Sequence, residues 1–130
     1  MGLLFILVGI GGGFGAMARF GLTQATVGIS KQIPFGIFLC NVIGSFLIGL
    51  IAAFLIKTNL FSEDISINIR ALLVTGFLGG FTTFSSFSLD VLNLLQRGEI
   101  LIGLSYILIS VLISLLAVAL GFYIILGVCR

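Results

Sequence analysis

Charged residues punctuate the chain at wide intervals, leaving residues 1–18, 32–56, 71–89 and 100–129 free of Asp, Glu, Lys and Arg. A helix of about 20 apolar residues spans the hydrocarbon core of a bilayer. The pattern therefore predicts four transmembrane helices, at about 3–26, 34–57, 69–96 and 100–127, in a single domain over residues 1–130. Pro34 suits the first turn of the second helix, where its missing N–H costs nothing. Ser62-Glu63-Asp64, in the polar second loop, resembles a helix start. The third loop is little more than Arg97-Gly98-Glu99. The first stretch has no Lys or Arg before Arg19, so a retained helix is expected rather than a cleaved signal peptide.

Polar residues and helix breakers inside such spans need a partner or a watery cavity, so they locate the working surface. In the first helix, Gly9/Gly13 and Gly11/Gly15 are spaced for close backbone packing. The second helix aligns Asn41, Ser45 and Gly49 at successive i+4 positions, beside Gly36, Cys40 and Gly44. The Asn41 amide serves either an interhelical hydrogen bond or a permeating species. In the third, the run Thr75 to Ser88 holds Gly76, Gly79 and Gly80, then five hydroxyl residues and no charge. The adjacent glycines followed by Thr82-Thr83 predict an interrupted helix, and broken helices at membrane depth commonly mark ion sites. Phe84 and Phe87 share a face beyond the break, flanked by Thr83, Ser85, Ser86 and Ser88. Aromatic edges are positive, so ring edges beside hydroxyls make an uncharged lining for an anion. Tyr106, Ser110 and Ser114 form a polar ladder on the fourth helix.

Composition narrows the function further. Of 130 residues, 60% are hydrophobic and only 8% charged, against about a quarter charged in soluble domains. The fold class is all-α and integral to a membrane. There is no His, and the four carboxylates (Glu63, Asp64, Asp90, Glu99) fall near predicted helix ends. Zinc sites and acid–base catalysis lack their parts, so no enzyme is expected. A net charge of +2 without a basic run argues against nucleic acid as a partner. Cys40 and Cys129 have no metal or redox spacing and read as apolar filler. Lys57, Arg70 and Arg130 lie on one side of the predicted topology and Arg19, Lys31 and Arg97 on the other. Equal counts leave the positive-inside rule without a preference, so the chain inserts both ways up and can pair antiparallel.

Three segments together resemble the small bacterial fluoride channels of the Fluc, or CrcB, type. They are Gly12-x-x-Gly15-Ala16-x-x-Arg19-Phe20, Asn41-x-x-Gly44-x-Phe46-x-x-Gly49, and Gly76-Phe77-x-Gly79-Gly80-x-Thr82-Thr83-Phe84-Ser85-x-Phe87. The resemblance covers essentially the whole chain; Phe20 and Ser86 stand where Tyr and Thr are common. It implies an antiparallel, dual-topology homodimer with two fluoride pores at the interface. Asn41 is then expected on the fluoride path, with Phe84 and Phe87 lining it by their edges. Ser85, Ser88, Tyr106, Ser110 and Ser114 are the expected hydroxyl lining. A structural sodium ion is implied at the dimer centre, held by backbone carbonyls of Gly79 and Thr82 from both chains. Arg19 is implied to be structural or at a pore vestibule. Passive fluoride export across the bacterial inner (plasma) membrane, among its lipids, follows, with relief of cytoplasmic fluoride toxicity.

Two other functions fit a chain of this shape. A dual-topology small multidrug exporter needs an intramembrane carboxylate. Asp90 is the one candidate, and a structural role, paired with an arginine, is expected for it. A non-transporting membrane assembly subunit accounts for the glycine faces but leaves the aligned hydroxyls and the broken helix unexplained.

Overall fold

The computed structural model describes residues 1–128, so Cys129 and Arg130 lie outside the described residues. Helix α1 covers Gly2–Ala25, a 3-10 turn follows at Val27–Ile29, and α2 covers Phe35–Lys57. The third span is compound. Its first part, α3, is α-helical over Glu63–Ile69, π-helical over Arg70–Leu78, and ends in one α-turn, Gly79–Phe81. Helix α4, Phe84–Gln96, completes that span, and α5 covers Ile100–Val128. Four segments, Gly2–Ala25, Phe35–Lys57, Glu63–Gln96 and Ile100–Val128, are long and apolar enough to cross a membrane. The chain is a multi-pass membrane protein. Large apolar side chains such as Phe5, Leu101, Leu115 and Leu116 face outward, as a lipid solvent permits.

The third span starts earlier than its apolar run. The Ser62 hydroxyl accepts the Ile65 N–H at 3.4 Å, and Glu63 and Asp64 occupy the positive first turn. These caps satisfy and complement the free N–H groups, so the helix begins at Glu63 rather than near residue 69. At the other end, Gly98 adopts φ +80°. The Glu99 N–H reaches the Leu94 carbonyl and the Gly98 N–H that of Leu95, a Schellman stop that a left-handed glycine permits.

Glycine decides how closely the helices meet. On α1, a Cβ at Gly11 would overlap the Leu72 carbonyl, and one at Gly15 the Phe77 carbonyl. The π-helical stretch of α3 therefore lies backbone to backbone on α1. Gly9 and Gly13, with the same spacing, have no neighbour within 4 Å of such a Cβ; only one of the two glycine pairs packs within the chain. Between α2 and α5, Gly49 meets the Val118 carbonyl and Gly121 that of Phe46. Two small cores flank these crossings. Cys40, Leu78 and Phe81 form one, and Phe87, Leu94 and Tyr106 the other. Cys40 is wholly buried there as an unpaired thiol.

The helix break falls at Thr82 and Thr83 rather than at the glycines. Gly79 and Gly80 remain helical, whereas Thr82 (φ −86°, ψ 153°) and Thr83 (φ −154°, ψ 124°) are extended. A Cβ at Gly80 would overlap the Gly12 carbonyl, so this glycine serves close approach, while β-branched threonine accepts extended backbone readily. Gly15→Ala is expected to destabilise the fold by about 1–3 kcal/mol through overpacking. Gly9→Ala should leave stability unchanged or raise it by about 0.5–1 kcal/mol. Thermal unfolding in detergent measures both.

Candidate functional site

The two extended threonines leave backbone groups without helical partners, and most find side chains. The Asn41 Oδ1 accepts the Thr83 N–H at 2.8 Å, and its Nδ2 donates to the Thr83 carbonyl at 3.1 Å. Thr82 turns back, its hydroxyl donating to the Leu78 carbonyl at 2.8 Å. The Thr83 hydroxyl accepts the Ser86 N–H at 3.1 Å and so caps α4. Arg19 donates from Nη1 to the Gly80 carbonyl at 2.8 Å, which places this cation against the turn before the break. Both alternatives for Asn41 bear on one side chain: the interhelical bond forms, and one Nδ2 hydrogen remains free to donate.

Gly79 and Thr82 are among the carbonyls left over. The Thr83 N–H, which would close a helical turn onto Gly79, goes to Asn41, and the Ser86 N–H, which would close one onto Thr82, goes to Thr83. Gly79 and Thr82 thus present backbone oxygens without their i+4 donors at membrane depth, where a partner, water or cation must satisfy them. Oxygen-only donors suit a hard cation. Among the described residues no three His, Cys, Asp or Glu side chains cluster as a metal site.

Beside the break lies a groove of about 260 Å³ with no charged side chain in its lining. Asn41 and Ser45 of α2, Thr82 and Thr83 of the break, Phe84 and Phe87 of α4, and Ser110 and Ser114 of α5 all face it. Phe87 is buried, whereas Phe84 is 78% exposed at the rim. Their ring centroids are 5.7 Å apart at 44°. Ser110 is 5% exposed, and its hydroxyl oxygen is buried without a hydrogen-bond partner. A buried hydroxyl facing a groove with its hydrogen unclaimed is a donor available to an occupant.

Five of the expected pore residues, Asn41, Phe84, Phe87, Ser110 and Ser114, meet at this groove. Three do not. Ser85 is exposed, with its hydroxyl 3.2 Å from that of Thr83. Ser88 is exposed and donates to the Phe84 carbonyl at 2.9 Å. Tyr106 is buried against Phe87, with centroids 5.3 Å apart, and its hydroxyl donates to the Pro34 carbonyl at 3.4 Å. The polar ladder of α5 therefore divides, its serines facing the groove and its tyrosine supporting Phe87 from behind. Ser45 and Thr83 line the groove without having been singled out as pore residues. Ser45 was legible as one helical turn beyond Asn41. Among the described residues, Asp90 has no arginine within ion-pair distance, and the one salt bridge joins Arg97 and Glu99 at 3.6 Å.

Comparison with known proteins agrees along the whole chain. Residues 6–122 match the family model described as "CrcB-like protein, Camphor Resistance (CrcB)". A protein of Francisella tularensis subsp. tularensis (strain SCHU S4 / Schu 4), named "Fluoride-specific ion channel FluC", is 75% identical over 130 residues, all of both chains. One of the same name from Francisella philomiragia is 73% identical over the same span. Another, from Methylobacterium radiotolerans, is 41% identical over 116 residues, covering 89% of this chain and 80% of its own. Asn41→Leu is expected to lower stability by about 2–6 kcal/mol, because both Thr83 backbone groups lose their partners at about 1–3 kcal/mol each. Ser45→Ala should cost less than about 1 kcal/mol, with denaturation in detergent as the measurement.

Proposed function

The chain belongs to the CrcB-like family, and from that premise we propose that it is a fluoride-selective channel rather than an enzyme. The observation that carries this reading is the uncharged groove with an unclaimed buried hydroxyl at Ser110, set against Asn41, Phe84 and Phe87. Its close relatives bear the name of fluoride-specific channels. A permeating anion must exchange water for donors weak enough to release it. Here the donors are the Ser110 hydroxyl, the spare Asn41 N–H and the positive ring edges of Phe84 and Phe87. The absence of a fixed charge in the lining fits passage rather than retention.

The groove is open along one side of the chain, so a second subunit is needed to close it into a pore. The balanced positive residues support an antiparallel homodimer with two pores at the interface, in the inner membrane. Tyr106 supports Phe87 from behind, and Ser85 and Ser88 stand exposed beyond the groove. The Gly79 and Thr82 carbonyls of two such chains supply four oxygens to a sodium ion, whose contribution is fixed positive charge at the dimer centre. The flux is passive, and a negative interior drives anions outward by about 2.3 kcal/mol per charge at 100 mV, which lowers cytoplasmic fluoride.

Proteoliposomes loaded with fluoride or chloride test the reading. The wild-type protein is expected to release fluoride rapidly and chloride negligibly, read by ion-selective electrodes. Equal release of both removes the selectivity claim, and release of neither from folded dimers overturns the channel. Phe87→Ala and Asn41→Asp should each abolish fluoride release while the dimer still assembles. Wild-type flux in either assembled variant refutes the pore assignment.

A further inference from the structure

Among the described residues, two charges within the third span, Asp90 and Arg70, have no partner in their own chain. Asp90, on α4, borders a polar cavity of about 430 Å³, and its Oδ2 is buried without a hydrogen-bond partner. Arg97 shares that cavity but donates to the Gln32 carbonyl at 3.2 Å and lies 3.6 Å from Glu99. Arg70, at the start of the π-helical stretch, is exposed and makes no ion pair or side-chain hydrogen bond among the described residues. A charge at the edge of the hydrocarbon core is costly when it stands unpaired. Asp90 and Arg70 cannot pair within one chain, because they lie toward opposite ends of one span.

Their depths match once a second copy is inverted. Asp90 is six residues before Gln96, where α4 ends, and Arg70 is seven residues after Glu63, where α3 begins. At a rise of about 1.5 Å per residue, each sits about 9–10 Å inside its own end of the span. The two ends are on opposite membrane faces, so inversion brings Arg70 of one copy to the level of Asp90 of the other. Lys57 is the last residue of α2 and arrives nearer the surface. A copy the same way up brings Arg19 toward that level, but Arg19 is already bonded to the Gly80 carbonyl.

We infer that the Asp90 carboxylate of each subunit pairs with Arg70 of the partner subunit. The inference rests on the antiparallel assembly proposed above, and it adds two symmetry-related ion pairs that hold the copies in one register. Each pair answers a charge that the monomer leaves exposed to lipid or stranded beside a cavity.

Cysteine pairs test it, in a Cys40→Ala, Cys129→Ala background. Membranes carrying Asp90→Cys, Arg70→Cys, or both are treated with a short bifunctional thiol reagent. Variants lacking Arg70 also carry Asn59→Lys, which keeps the positive residues balanced between the two faces. Covalent dimer is expected in the double variant and lost in both single ones. In uncrosslinked protein, Asp90→Leu should weaken dimer association about 100-fold by stranding Arg70, and adding Arg70→Met with Asn59→Lys should restore it to within about tenfold. Equal weakening in the two variants overturns the pair. Thiol labelling at Gly28→Cys, an exposed and uncharged position in the first loop, from one side of sealed cells reads orientation separately. Partial labelling, completed on permeabilisation, without covalent dimer in the double variant overturns the pair and leaves the antiparallel assembly standing. A single orientation, or covalent dimer from Asp90→Cys alone, overturns both.

Discussion

Two hydrogen bonds between the Asn41 amide and the backbone of Thr83 hold the structure around the groove together. A helix cannot break at membrane depth unless its freed N–H and C=O groups are answered. Asn41 answers one of each from a neighbouring helix, so the break and the α2–α4 contact are a single feature. Because the Thr83 N–H is drawn to Asn41, the Gly79 carbonyl loses its donor. Because the Thr83 hydroxyl caps α4, the Thr82 carbonyl loses its own. One side-chain amide and one threonine cap thus create both the groove wall and the exposed carbonyls beside it.

That clamp depends on helices approaching closely enough to use it. Gly11, Gly15 and Gly80 let α1 and α3 touch backbone to backbone, and Gly49 and Gly121 do the same for α2 and α5. Without a hydrophobic driving force between helices in lipid, such contact and polar bonding supply the association. Arg19 reaches the Gly80 carbonyl across the first of these contacts. The second holds α2 against α5, so that Asn41 and Ser45 face Ser110 and Ser114 across the groove.

Charge in this protein is sparse and placed for its consequences. The groove carries none, which suits an occupant that must leave again. The charges within the spans are held away from it. Arg19 is spent on a carbonyl, while Asp90 and Arg70 wait at equal depths on opposite sides of the membrane. Among the described residues, the monomer has an open groove, carbonyls without donors and two charges without partners, and so is incomplete in three ways. In the assembly proposed above, an inverted second copy would close the groove and answer the charges, and a sodium ion between the copies would answer the carbonyls.

The amino-acid sequence by itself determined the environment, the number of spans and the chemistry available. Uncharged stretches the length of a bilayer core permit little else, and polar residues inside them must be functional or bonded. Asn41, Ser110 and Ser114 stood out for that reason, and Phe84 and Phe87 through the hydroxyl residues that flank them. Tertiary structure alone decided which of the aligned hydroxyls share the groove. Helical spacing puts Tyr106 in line with Ser110, yet its bulk is buried against Phe87 and its hydroxyl turns to Pro34. Two glycine pairs on α1 look equivalent in sequence, and only contact with Leu72 and Phe77 distinguishes Gly11 and Gly15. The position of the break was likewise a tertiary matter. Glycine permits a kink but does not place one. The break sits at Thr82-Thr83 because Asn41, on another helix, is where the freed backbone finds its partners.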